Sequence, residues 1–119
     1  MADGFSAGDF LVFQLESGYG LVRLLRVDGS GPDRLWHLLV YEALFPDVES
    51  AELALTQSVS LAAQIPHVVL TDRAFERTPA ARLGNQSLTA EELVPLQAWE
   101  NDSNRRIFDR SLLQLLGMR

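Results

Sequence analysis

Two dense turn signals, Ser17-Gly18-Tyr19-Gly20 and Asp28-Gly29-Ser30-Gly31-Pro32-Asp33, divide the first 42 residues into three short runs rich in β-forming side chains. Connections this short allow only antiparallel neighbours, because a parallel crossover needs a dozen or so residues or more. Residues 9–16, 21–27 and 35–42 are therefore expected to form a three-stranded meander. Phe13 and Leu15 alternate with Gln14 and Glu16, the pattern of a strand with one apolar face. A phosphate loop would set its glycines between a strand and a helix N-terminus, whereas Gly18-Tyr19-Gly20 leads into a second strand. The stretch reads as a hairpin, with Tyr19 at its tip as a candidate contact residue. Arg23 and Arg26 have opposite parity on the second strand, so one is expected to face out and the other to sit nearer the core or a barrel rim.

Phe45-Pro46-Asp47 breaks the β pattern. Asp47 can cap one or two helical turns reaching Leu55, with Glu49 and Glu52 near the positive end of the helix dipole. Residues 58–63 alternate as a fourth strand would, although their alanines also permit a helix. After Pro66, the β-branched run 67–71 reads as a fifth strand, and Asp72 can end it and cap a short turn holding Arg73, Phe75 and Glu76. Thr89 and Glu92 form a capping box for a helix that carries Leu93, Leu96 and Trp99 on one side. Pro95 should kink or restart that helix. A last helix is expected from Asp102 or Ser103 to about residue 116, because Ile107, Phe108, Leu112, Leu115 and Leu116 share a face and Gly117 is a natural stop.

These elements amount to an α+β protein in a single domain, residues 1–119. Its centre is a strongly curved five-stranded antiparallel sheet or a partly open SH3-like β-barrel, with C-terminal helices covering one open end or a sheet face. A chain of 119 residues makes about one domain. The absence of cysteine leaves packing alone to hold it. No window approaches the roughly 18 apolar residues of a membrane span, and the N-terminus MADGFSAGDF lacks the basic and apolar regions of a secretory signal. A cytoplasmic protein without a membrane partner is expected.

Charge divides unevenly. Residues 1–34 hold five acids and three arginines, residues 35–72 five acids and no arginine, and residues 73–119 six acids and seven arginines, for a net charge of -6 without any lysine. Such a chain repels nucleic acid on average and attracts basic partners. The acidic segment Glu42, Asp47, Glu49 and Glu52 lies close in sequence to Trp36, Tyr41 and Phe45. A run of this kind is most often a solvated face. With no base nearby it would also steer a positively charged protein, with outward aromatic residues as anchors.

His37 lies in a strand and His67 follows a proline. A zinc site built from His37, His67 and Asp72 is chemically conceivable, but no HxH or HExxH spacing occurs, and a hydrogen-bonded structural role fits each histidine better. Sixteen carboxylates pair by chance in many ways, and neither GxSxG nor SxxK occurs. The chain therefore reads as non-catalytic, with no cofactor and no metal. A small hydrolase built on His37 or His67 is a third possibility. The alternative binding class is a nucleic-acid-binding SH3-like or OB-like domain using Arg23, Arg26, Arg105, Arg106 and Arg110. An uncovered edge strand or the apolar C-terminal helix would allow a homo-oligomer.

The succession GDFLVFQLESGYGLVRLLRVD, LWHLLVYEALF, IPHVVLTDRAF and LGNQSLTAEELVPLQAW resembles the Imm26 family of bacterial immunity proteins. The matching features are an opening Gly8-Asp9 strand, a hairpin bearing Gly18 and Gly20, a central strand ending in Tyr41, and a late polar segment leading to Trp99. They span residues 8–100, about four-fifths of the chain. The resemblance implies a non-catalytic, mostly β protein, encoded beside a polymorphic toxin, that binds and neutralises that toxin in the cytoplasm. It assigns no binding residue.

Overall fold

A computed structural model of the chain describes residues 4–57 and 60–117. The meander forms as the turns dictate: β1 (Asp9–Leu15), β2 (Gly18–Asp28) and β3 (Leu35–Tyr41) pair antiparallel in succession, with a single 3-10 turn, Gly31–Asp33, in the second connection. There follow α1 (Val48–Thr56), β4 (Ala63–Thr71), α2 (Asp72–Glu76), β5 (Ala80–Asn85), α3 (Ala90–Glu100) and α4 (Leu112–Leu115). The strand order is β4-β3-β2-β1-β5, with every neighbour antiparallel, so this is the open, five-stranded form of the expected α+β fold.

Four elements differ from the sequence expectation, the smallest change being at α2, which Thr71 caps in place of Asp72 by accepting the Ala74 N–H on its hydroxyl. Residues 58–63 and 67–71 are not two strands: one strand, β4, begins at Ala63 and runs through Pro66, while residues 58 and 59 lie outside the described residues. Proline fits there because β4 is an edge strand and its register with β3 shifts between Leu38 and Val40. The fifth strand is instead β5, whose AARLGN sequence has no β-branched or aromatic residue. Its pairing with β1, not its propensity, makes it a strand. The long last helix shortens to α4, capped by Ser111. The Asp102 carboxylate accepts the Asn104 N–H at 2.9 Å, a local turn that competes with helix formation. Phe108 pairs with β4 instead, donating its N–H to the Val69 carbonyl and accepting from the Thr71 N–H.

The sheet is covered on both faces, so its central strands are apolar almost throughout. On one face, Leu11, Phe13, Val22, Leu24, Trp36, Leu38 and Leu70 pack under α2 and α4 through Phe75 and Leu112. On the other, Phe10, Leu21, Leu25, Leu39 and Tyr41 pack under α1 and α3 through Leu55, Leu93 and Leu96. A bulge between Leu24 and Arg26 overturns the parity expectation for the two arginines. The extra residue puts Arg26 opposite His37, on the same side as Arg23 and under α3.

The first hairpin is tight because Phe13 lies directly across from Gly20. A Cβ at Gly20 would stand 2.4 Å from the Phe13 ring. Gly20→Ala is expected to destabilise the fold by about 1–3 kcal/mol through overpacking, read from the urea midpoint; an unchanged midpoint would refute the close approach.

Candidate functional site

The acidic candidates lie in the loop after β3 and along α1, with Glu52 lining a hollow beside Phe10 and residues 83–86, at the end of β1 away from the hairpin tip. Tyr19 and Phe45 exchange backbone hydrogen bonds of 2.8 and 2.9 Å, which tie the hairpin tip to the loop after β3. Gly18 makes this possible: its φ of +150° lies in the glycine-favoured range, and a Cβ would stand 2.6 Å from the Phe45 carbonyl oxygen. Asp47 then starts α1 by accepting the Ser50 N–H at 2.7 Å, and hydrogen bonding from the Ser50 side chain first and its backbone second holds the carboxyl below the usual range. Glu42, Asp47, Glu49 and Glu52 are all exposed, and Tyr19 is half-buried. No ion pair among the described residues uses these four carboxylates.

The aromatic anchors are not where the sequence reading looked for them. Trp36 and Tyr41 are core residues, and Phe45 is half-buried. Exposed apolar area in this acidic segment comes instead from Leu44 and Leu53, which are 48% and 55% exposed. Sequence reasoning passed over both, since a leucine in a loop or on a short helix carries no signal of exposure.

The five arginines of the nucleic-acid alternative do not assemble into one surface. Arg23 is only 2% exposed: its guanidinium donates to the Gln86 and Ser87 carbonyls at 2.8 and 3.2 Å and lies 4.0 Å from the Phe10 ring centroid. Arg26 bridges Asp28 and Glu100 at 2.9 and 3.0 Å, so its charge is matched locally. Only Arg105, Arg106 and Arg110 remain exposed, close together in the segment after α3.

The histidines meet each other, and Asp72 does not join them. Asp72 lies on the opposite face, where it accepts the Trp36 indole N–H at 2.8 Å and pairs with Arg34 at 3.1 Å. His37, wholly buried, stands between Asp28 and His67, with Nε2 2.8 Å from Asp28 Oδ2 and Nδ1 2.9 Å from His67 Nε2. Trp99 meets both imidazoles edge-on, at centroid distances of 5.1 and 5.8 Å. Burial lowers the pKa of His37 against the pull of Asp28. Burial, together with the charges of His37 and Arg26, lowers that of His67 to about 4. Both rings are therefore neutral at pH 7.

The chain of bonds has one polarity. Arg26 and His37 lower the pKa of Asp28 by hydrogen bonding, and an ionised carboxylate only accepts. His37 therefore donates from Nε2 and accepts at Nδ1 from His67, which leaves a lone pair on His67 Nδ1. His67 lines an open groove of about 640 Å³ between the β4 edge, α3 and the segment after it. Asp28 was legible in sequence only as a turn residue; its approach to His37 follows from the hairpin register, which the bulge sets.

The sequence matches no family model, no curated protein and no solved structure.

Proposed function

We propose that the chain is a non-catalytic protein-binding module, an immunity-type inhibitor that binds and neutralises a basic protein, a cognate toxin, in the cytoplasm. The observation that carries this reading is that Glu42, Asp47, Glu49 and Glu52, in the loop after β3 and on α1, are all exposed and enter no ion pair among the described residues, while Leu44 and Leu53 are exposed in the same segment and Tyr19 is bridged to its Phe45. These carboxylates would steer a cationic surface toward the segment, and the two leucines supply apolar area to exclude water once contact is made. The resemblance to bacterial immunity proteins supports the same class. No helix among the described residues is long and apolar enough to cross a membrane.

Charge removal tests the steering. A variant carrying Glu42→Lys, Asp47→Asn, Glu49→Lys and Glu52→Lys keeps a capping side chain at position 47. At low salt it is expected to bind its partner several-fold more slowly, with the difference shrinking as salt screens the surface. Association rates by stopped-flow or surface plasmon resonance measure this, and equal rates at low salt would sink the electrostatic part.

The second reading, a nucleic-acid-binding domain, rests on Arg105, Arg106 and Arg110, which are exposed in one short segment. It requires retention on single- or double-stranded DNA or RNA at low salt, lost when those three arginines become glutamine.

A further inference from the structure

The groove beside β4 is built differently from the acidic segment. Its walls are mostly apolar: Ile65, Pro66 and Val68 from β4, Pro95 and Trp99 from α3, and Phe108. Its polar groups are few and differ in kind. His67 brings an acceptor, fixed in place by the Asp28–His37 bonds behind it. Arg106 brings an exposed cation that has no carboxylate partner among the described residues, its guanidinium 5.1 Å from the Phe108 ring centroid. A volume near 640 Å³ falls in the range of small-ligand sites.

An extended peptide is the poorer fit. Pro66 removes a backbone donor from this stretch of the β4 edge, and Phe108 already occupies the next stretch through its bonds to Val69 and Thr71. The indole N–H of Trp99 is also taken, donating to the Arg106 carbonyl at 3.0 Å. What the groove offers is an aromatic and proline wall, the His67 acceptor and the Arg106 cation, with Asp102 and Asn104 also on its lining.

We propose that this groove binds a small aromatic acid bearing a hydroxyl or ring N–H, which donates to His67 Nδ1 while its carboxylate pairs with Arg106. Trp99 and Pro66 flank the ring. His37 and Asp28 are positioning residues: they hold the His67 tautomer that presents a lone pair. This site shares no residue with the acidic segment, so it stands or falls separately from the protein-binding reading.

The test uses 4-hydroxybenzoate as probe, with benzoate lacking the donor and 4-methylphenol lacking the anion. Binding is followed through the Trp99 indole and His67 ring signals in nitrogen-15 correlation spectra. The full probe is expected to shift both sets of signals and to bind about fivefold more tightly than benzoate, the worth of one net hydrogen bond. His67→Phe should abolish that preference, and Arg106→Gln, an exposed change that leaves the core alone, should weaken the probe to the level of 4-methylphenol. Absence of shifts up to about 20 mM, far above the affinity a built site gives, would overturn the proposal. So would equal affinity for benzoate, or a hydroxyl preference that persists in His67→Phe.

Discussion

Trp36→Ala is expected to lower the folding free energy by about 4 kcal/mol, the usual scale for emptying a large aromatic position in a core. Trp36 is 1% exposed near the start of β3, paired across to Val27 on one side and Leu70 on the other. Its ring stacks on Phe75 at 4.1 Å, which is how α2 is fastened to the sheet. Its indole N–H is also one of the bonds that satisfy buried Asp72. The alanine variant leaves a cavity, unstacks Phe75 and strips Asp72 of that donor, so the three losses fall on one site. Trp36→Phe separates them: it keeps an aromatic ring against Phe75 and removes the N–H, for an expected cost of about 1–2 kcal/mol. Guanidinium denaturation followed by circular dichroism reads both. An alanine variant within about 1 kcal/mol of the parent would mean that the packing of α2 on β3 is wrong.

Acidification from pH 6.5 to pH 4 is expected to remove a large share of the stability, before most carboxylates titrate. The sign follows from the histidines. The folded pKa of His67 lies at about 4, below the ordinary value of 6.5, so the unfolded chain takes up a proton in this interval that the folded chain refuses. Stability is full above the unfolded value and falls as pH drops toward the folded one, by up to about 3 kcal/mol for His67 alone. His37 is shifted in the same direction and adds to the loss. Arg26 opposes a second positive charge here, and Asp28 and Glu100 favour it without reversing the result for His37. The carboxyls of Asp28, Asp47 and Asp109 are held below their usual range, so their contributions disappear at lower pH and do not mask the histidine interval. Denaturation midpoints at half-unit steps for the parent and His67→Phe should converge toward pH 4, the parent having the steeper slope by up to one proton. Parallel slopes would contradict a neutral His67 in the folded chain.

Much of the fold can be read from local chemistry. The glycine turns at 17–20 and 28–33 define the meander, and the capping residues Asp47, Thr89 and Ser111 begin helices in the structure. Ser111 was hidden inside a longer helix expected from leucine spacing, because Phe108 gains backbone bonds on the β4 edge that a spacing rule does not weigh. The parts that escaped depend on distant pairing. The strand character of β5 comes from β1, and the tolerance for Pro66 comes from an edge position that only strand order reveals.

The candidate sites divide along the same line. Tyr19 is bridged to Phe45 in the loop that opens the acidic segment, and the exposure of Glu42, Asp47, Glu49 and Glu52 agrees with their composition. Arg23 could not be separated from a surface arginine in sequence, since its burial depends on backbone carbonyls at Gln86 and Ser87, some 60 residues away. His37 and His67 were joined in sequence only through a conceivable zinc site with Asp72, because nothing in a 30-residue separation indicates that β3 and β4 bring their rings to 2.9 Å.

The acidic segment as a contact surface is tested most directly by affinity capture from extract of the cells that make the protein, comparing the parent with the four-site charge variant. Mass spectrometry and a nucleic-acid stain read the eluate after low-salt and moderate-salt washes. The expected result is one basic protein, held by the parent at low salt, released at moderate salt and absent from the variant. Equal recovery of that protein by both forms, recovery of nucleic acid in its place, or recovery of the parent chain alone would contradict it.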